Sequence, residues 1–339
     1  MTSNQLQVGE LKFAVIGTGF WAQFQIAAWK ELPNTHLVAL CDRDFAKVRA
    51  AVERFGVSKV YGDAEEMLRN EPLDFVDIAV GPEGHEQLVL LAARHQKAVI
   101  CQKPMALELA ACERMVAACR DAGIPFLIHE NFRWQTPMLR VKAVLDSRII
   151  GRPFRAHIQF SHGDITLFES QPYLFTQPHF ALYDMGPHLL DLPRFFFGEP
   201  RTLYAREFHV DQRLVGDDIV SVMLGYDRLT CHCELSWRTT DYEVFVEGES
   251  GTVKWGTDGK LTISTEAGTT SDVLTPRHYA WSDPRYGFAH PSIVDTNAAL
   301  LAALRGQAAA ATTGDDNLKT MKLLFATLRS AATNTVVQL

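Results

Sequence analysis

The sequence predicts an α/β chain: a doubly wound parallel sheet over residues 1–130, then an α+β domain over residues 131–339 with a large, mainly antiparallel open sheet. Three observations predict it. Short β-branched apolar runs alternate with longer amphipathic segments in the first part. A glycine-rich turn follows the first of those runs directly. After Trp134 the pattern changes to longer strands of alternating polarity, punctuated by turn residues.

Strands are expected at Phe13 to Ile16, Leu37 to Cys41, Val60 and Tyr61, Phe75 to Val80, Ala98 to Cys101 and Pro125 to His129. Their apolar character is continuous, as it must be in a sheet covered on both faces. Between them Phe45 to Phe55 and Glu86 to His95 repeat apolar residues every three or four positions, which predicts helices. Met138 to Asp146 reads as one more helix, ending at Gly151, and Phe154 to Ser161 as the first strand of the second sheet. Turns are expected at Gly225-Tyr-Asp, Gly248-Glu-Ser-Gly and Asp258-Gly, and closing helices at Ile293 to Leu304 and Asp315 to Thr333. The Ala-rich stretch at Ala308 to Ala311 reads as a helix end.

Composition narrows the function. The chain has 339 residues, 47% of them apolar, and a net charge of -7, without a basic run, so no nucleic-acid partner is expected. The residues up to Leu11 lack the basic start and apolar core of a signal peptide, and no apolar run has membrane-spanning length. Six cysteines, at 41, 101, 112, 119, 231 and 233, include no C-x-x-C pair. A cytoplasmic protein with reduced core thiols and no metal is the expectation.

The glycine turn is Gly17-Thr18-Gly19-Phe20-Trp21-Ala22. In a dinucleotide-binding (Rossmann) unit the first glycine makes the tight turn and the second lets a pyrophosphate reach the backbone at a helix N-terminus. Ala22 supplies the small third residue. Asp42 closes the second strand about twenty residues later, where a carboxylate binds a ribose diol and repels a 2′-phosphate. Asp42 therefore points to NAD, while Arg43 beside it keeps NADP open.

Ligands of open parallel sheets lie beyond the carboxyl ends of the strands. Those ends carry Gly81-Pro82-Glu-Gly-His85, Cys101-Gln102-Lys103-Pro104 and His129-Glu-Asn131-Phe-Arg133-Trp134. Lys103 is the sharpest candidate for an aimed ammonium, because Pro104 fixes the backbone beside it; a surface lysine is the alternative. In the second domain, Asp184-Met-Gly186-Pro187-His188 places a carboxylate four residues before an imidazole. Asp184 suits a helix N-cap, with its side chain on the face of His188, and it would orient that ring as a general base. A packed histidine, or a zinc set with Asp191, competes with this reading.

Together these motifs resemble the GFO/IDH/MocA family, the glucose-fructose oxidoreductase, inositol dehydrogenase and rhizopine-catabolism proteins. The resemblance rests on Gly17-Thr18-Gly19, Pro82 with His85, Gln102-Lys103-Pro104, Asp184 to His188, and the tail from Thr312 to Ser330. It implies hydride transfer between NAD(P) and a secondary hydroxyl of a sugar or polyol, with Lys103, Asp184 and His188 catalytic and Arg133 at the substrate pocket. Trp134 is expected beside Arg133, and Phe20, Trp21, Arg43, Pro82, His85 and Gln102 near the cofactor. Gln102 stands where the family usually has glutamate, and Gly81 where threonine is common. The segments Cys101 to Pro104 and His129 to Trp134 resemble those of D-apiose dehydrogenase-like members. The rival functions are a non-catalytic dinucleotide-binding regulator and a glycosidase using transient oxidation. An uncovered face of the second sheet predicts a homodimer or homotetramer.

Overall fold

The protein is described by a computed structural model over residues 9–163, 169 and 171–339. The start of the chain, residues 1–8, read above as free of a signal peptide, lies outside them. Eleven elements build the first sheet: β1 (Leu11–Ile16), α1 (Phe20–Trp29), β2 (Thr35–Cys41), α2 (Phe45–Phe55), β3 (Lys59–Tyr61), α3 (Ala64–Asn70), β4 (Phe75–Ile78), α4 (His85–Arg94), β5 (Ala98–Gln102), α5 (Leu109–Asp121) and β6 (Phe126–His129). The strand order is β3-β2-β1-β4-β5-β6, all parallel, so the order reverses between β1 and β4 and opens a crevice at their carboxyl ends. The strand and helix expectations hold to within a few residues.

Local chemistry explains the helix limits. Asp44 accepts from the backbone N–H groups of Ala46 and Lys47 and starts α2, which Gly56 ends in the left-handed region at φ 71°. Asp63 caps α3 in the same way through Glu66. Every residue of β4, β5 and β6 is buried. Phe13 stacks on Phe75 at 4.9 Å, and Trp29 lies against both, at the centre of the apolar core.

A second compact unit holds Phe132–Arg277 and Lys322–Leu339. Its elements are α6 (Thr136–Ser147), β7 (Pro153–Ser161), α7 (Phe180–Asp184), α8 (Gly186–Phe197), β8 (Thr202–Phe208), β9 (Ile219–Gly225), β10 (Thr230–Ser236), β11 (Asp241–Gly248), β12 (Gly251–Gly256), β13 (Lys260–Thr265) and β14 (Gly268–Val273). Among the described residues the sheet has nine strands, β14-β13-β12-β11-β7-β10-β9-β8 and the terminal β15 (Val337–Gln338). Only the β7–β10 pair is parallel. Hairpins turn at the three expected places. α8 packs on β7 and β10, and α6 on β12. The opposite face is laced with charge: His157 lies between Glu234 and Glu243, Lys254 pairs with Glu243, and Arg155 with Glu247. It is not the apolar face from which self-association was expected.

Beyond Arg277 the chain returns to the first unit for His278–Met321. α9 (Ala289–Leu304) packs on α1 and β6, and its Leu300, Leu301 and Leu304 join the core of the parallel sheet. Asn131 ties the two by donating to the Ala289 carbonyl (3.0 Å) and to Ser292 Oγ (2.9 Å). Residues 308–311 connect α9 to α10 (Gly314–Thr333) and lie outside both helices. No helix among the described residues is long and apolar enough to cross a membrane. All six cysteines are free and buried. Burial lifts the Cys41, Cys112 and Cys119 thiols to about 12, so they stay protonated and unreactive.

Candidate active site

Four strand ends of the parallel sheet carry the candidate residues of the first unit. Gly17 has φ 105°, and a Cβ there would lie 2.6 Å from the backbone of Ala79, so both conformation and space require glycine. Gly19 is the N-cap of α1, and a Cβ on it would meet nothing within 4 Å. No described side chain caps α1 and no acidic residue occupies its first turn, so no side-chain carboxylate competes with an anion for its N-terminal N–H groups. This geometry fits a dinucleotide pyrophosphate: the space a side chain would fill at Gly19 is left open to an anion.

Asp42, just past β2, is drawn to this turn. Its Oδ2 accepts from Thr18 N (2.8 Å) and Thr18 Oγ1 (3.0 Å), and its Oδ1 from Asp44 N (3.0 Å). Thr18, Gly19 and Asp42 are thus brought together. Arg43 is exposed. Phe20 and Trp21 turn their rings into a cluster with Phe24, Tyr286 and His290.

After β4, Pro82 opens a single 3-10 turn, and His85 starts α4 fully buried. The imidazole lies between the Val80 carbonyl (3.1 Å from Nε2) and those of Pro104 (3.0 Å) and Met105 (3.2 Å), both near Nδ1. Burial lowers its pKa below the ordinary histidine value. His85 therefore braces the ends of β4 and β5 from beneath and has no surface of its own for a ligand.

Gln102 ends β5, and its Oε1 accepts from Lys103 N (3.1 Å). Its Nε2 donates to Gln25 Oε1 (2.6 Å), Gln25 Nε2 donates to Asp77 Oδ1 (2.6 Å), and Trp29 Nε1 donates to Asp77 Oδ2 (2.6 Å). Asp77 is fully buried in β4, and burial raises its carboxyl from 3.8 to about 6. Sequence reading missed this relay. The signal was available, a lone carboxylate inside the apolar run Phe75-Val-Asp-Ile, but its partners are distant in sequence. The relay also gives Gln102 a reason to be an amide: its donor is spent on Gln25, which a glutamate has no proton to serve.

The second unit carries the other candidates. Arg133 donates to both oxygens of Asp191, Nε to Oδ2 at 2.5 Å and Nη2 to Oδ1 at 2.7 Å, with both side chains buried and the guanidinium 5.6 Å from the Phe195 ring centre. Arg194 reaches the same carboxylate at 3.4 Å. Asp191 is thereby held by arginines, which disfavours it as a zinc ligand. Trp134, next to Arg133, is half-buried. His188, in the first turn of α8, is buried and stacks on Phe132 with ring centres 3.9 Å apart. Asp184 departs from its expected role: it is the last residue of α7, and Met185 occupies the N-cap of α8 without a capping side chain. Asp184 and His188 thus sit on consecutive helices, with Met185 between them in right-handed helical conformation. Pro187 lies in the first turn of α8, as expected.

A parallel nucleotide-type sheet joined to a large mixed sheet, with a glycine turn, an acidic second-strand end and a lysine past the fifth strand, defines a nicotinamide-dependent oxidoreductase. Residues 11–129 match the family described as an oxidoreductase family with an NAD-binding Rossmann fold, and residues 138–262 match the GFO/IDH/MocA C-terminal domain. The chain belongs to the GFO/IDH/MocA family. It is 37% identical to a D-apiose dehydrogenase of Paraburkholderia graminis over 100% of this chain and 92% of that one. It is 34% identical to a D-apiose dehydrogenase of Rhizobium rhizogenes over 98% and 99% of the two. A crystal structure of an oxidoreductase from Agrobacterium radiobacter, in complex with NAD+, L-tartaric acid and magnesium, superposes with a TM-score of 0.94 at 35% identity, covering 97% of this chain and 98% of that one.

Proposed function

We propose that this oxidoreductase uses NAD+ to oxidise a secondary hydroxyl of a sugar, with D-apiose the first substrate to try. The observation that carries this reading is the uncapped α1 N-terminus at Gly19, tied to Asp42 and lying at the same sheet edge as Lys103. The full-length likeness to two D-apiose dehydrogenases supports the substrate class. When bound, NAD+ supplies the hydride acceptor. His188 takes the hydroxyl proton as the carbon-bound hydrogen leaves as hydride, so the alcohol becomes a carbonyl and the imidazole an imidazolium. Asp184 orients that ring, and Lys103 donates a hydrogen bond to the same oxygen as negative charge builds on it. Arg133 acts through Asp191, a residue of α8 whose carboxylate it holds, rather than by binding substrate itself. Asp42 favours NAD over NADP by repelling a 2′-phosphate.

Reduced nicotinamide formed from a panel of aldoses and polyols, followed by its absorbance, tests the activity. Lys103→Ala and His188→Ala are expected to lower kcat about a hundredfold to a thousandfold, corresponding to roughly 3 to 4 kcal/mol of lost transition-state stabilisation. Near-wild-type turnover in both folded variants refutes the assignment. We further propose a cytoplasmic homodimer or homotetramer assembled on the charged face of the nine-stranded sheet; a monomeric mass by light scattering at micromolar concentration contradicts it.

A further inference from the structure

Apart from the hydride-transfer residues, three potential ligand atoms converge at one place in the second unit. His179 precedes α7, Glu207 lies near the end of β8, and Asp217 lies just before β9. Their nitrogen and carboxylate oxygens all fall within 4.8 Å of one another. His179 Nδ1 is 3.2 Å from Glu207 Oε2 and 3.6 Å from Asp217 Oδ2. Two ligands at zinc-type bond lengths of about 2.05 Å in a tetrahedral arrangement stand about 3.3 Å apart, so these separations are those of neighbouring ligands on one ion.

The polar atoms are poorly served by each other. The Glu207 side chain is only 7% exposed, yet its Oε1 has no hydrogen-bond partner. The Nδ1 of His179 is likewise buried without one, although the ring as a whole is 41% exposed: the nearby carboxylates lie off the direction in which an N–H would point. An ion pair between an imidazolium and two carboxylates would turn that N–H onto an oxygen. A buried carboxylate with an empty lone pair, facing a second carboxylate and an imidazole nitrogen, is the electrostatic situation a cation resolves.

The backbone holds the three groups in place without the ion. A Cβ on Gly216 would stand 2.3 Å from the Gln177 carbonyl oxygen and 2.7 Å from His179 N, so only glycine lets the loop before β9 press against the segment ahead of α7. Ala181 N donates to the Asp217 carbonyl (3.1 Å), and Val215 N to that of Phe175 (3.0 Å). His179 itself takes the left-handed conformation, at φ 54° and ψ 41°, which turns its ring toward the loop.

We propose that His179, Glu207 and Asp217 form a binding site for one divalent transition-metal ion of the zinc or manganese type, although no metal was expected from the sequence. One imidazole nitrogen and two carboxylates suit these ions better than magnesium or calcium, which take oxygen ligands alone. The ion ties the loop before β9 to the segment that leads through α7 to Asp184.

Full-length protein dialysed against EDTA and then freed of chelator is titrated with zinc chloride and, separately, manganese chloride, by calorimetry and thermal unfolding. One ion per chain is expected, with Tm raised by about 5 °C at a hundredfold excess over Kd. Magnesium chloride is expected to bind at least tenfold more weakly. Glu207→Gln, which keeps the shape of the side chain, and His179→Gln should each weaken zinc and manganese binding at least tenfold; manganese separates this site from the thiols, which bind it poorly. No saturable binding of either ion by the wild-type chain overturns the proposal. Wild-type affinity in Glu207→Gln overturns it equally.

Discussion

Replacing Asp77 by asparagine isolates the buried carboxylate beneath the β4 and β5 strand ends. Below pH 3.8 this carboxyl is protonated in the folded and the unfolded chain alike. Between there and about 6 the folded chain keeps a proton that the unfolded chain has released, so stability falls as pH rises, and above about 6 the contribution is flat. At about 1.4 kcal/mol per pH unit, the interval from 3.8 to about 6 is worth about 3 kcal/mol, or about a hundredfold in the folding constant. Burial is the cause; the bonds from Trp29 and Gln25 work against it and keep the rise from being larger. Asparagine does not titrate. Its amide also presents N–H to one of two donors that now meet oxygen, a mismatch of about 1 to 3 kcal/mol, relieved only if Gln25 and then Gln102 reverse their amides. Urea unfolding of both proteins at pH 4 and pH 7 reads the first effect directly. The stability advantage of wild type over Asp77→Asn should shrink by about 2 kcal/mol between those two pH values, since at pH 4 the unfolded carboxyl has already begun to release its proton. Parallel pH profiles for the two proteins refute the reasoning.

Three further outcomes follow from the same geometry. Gly17→Ala should lower stability by more than about 1 kcal/mol, because the residue combines positive φ with a backbone 2.6 Å from the new methyl, whereas Gly19→Ala should leave Tm unchanged and weaken NAD binding at least tenfold by calorimetry. Arg133→Met takes the two-pronged guanidinium contact away from the buried Asp191 carboxylate and should cost about 3 kcal/mol by denaturant unfolding, while the Km for sugar in the remaining folded enzyme stays within a few fold. Asp42→Ser should raise the NADP-to-NAD ratio of kcat/KM at least tenfold, since the hydroxyl still accepts from Thr18 but no longer repels a phosphate; an unchanged ratio would place cofactor choice elsewhere.

The sequence by itself determined most of the architecture, because its signals are local. Continuous apolar runs and a glycine turn between strand and helix each act over a few residues, so strands and nucleotide turn were legible directly, whereas the caps Asp44 and Asp63 emerged only with the structure. Lys103 was singled out because the carboxyl ends of predicted parallel strands mark where a ligand sits, and Asp42 because of its distance from the glycine turn. Tertiary structure alone decided what those residues touch. That Asp184 ends one helix and His188 lies in the first turn of the next is set at Met185 and Gly186, which helical periodicity does not reveal. That Arg133 is spent on Asp191, 58 residues away, and that Asp77 controls Gln102 through Gln25, are partnerships of buried charge across long sequence separations. Burial sets the cost of leaving such a group unpaired, and it is a property of the folded chain that no local pattern carries.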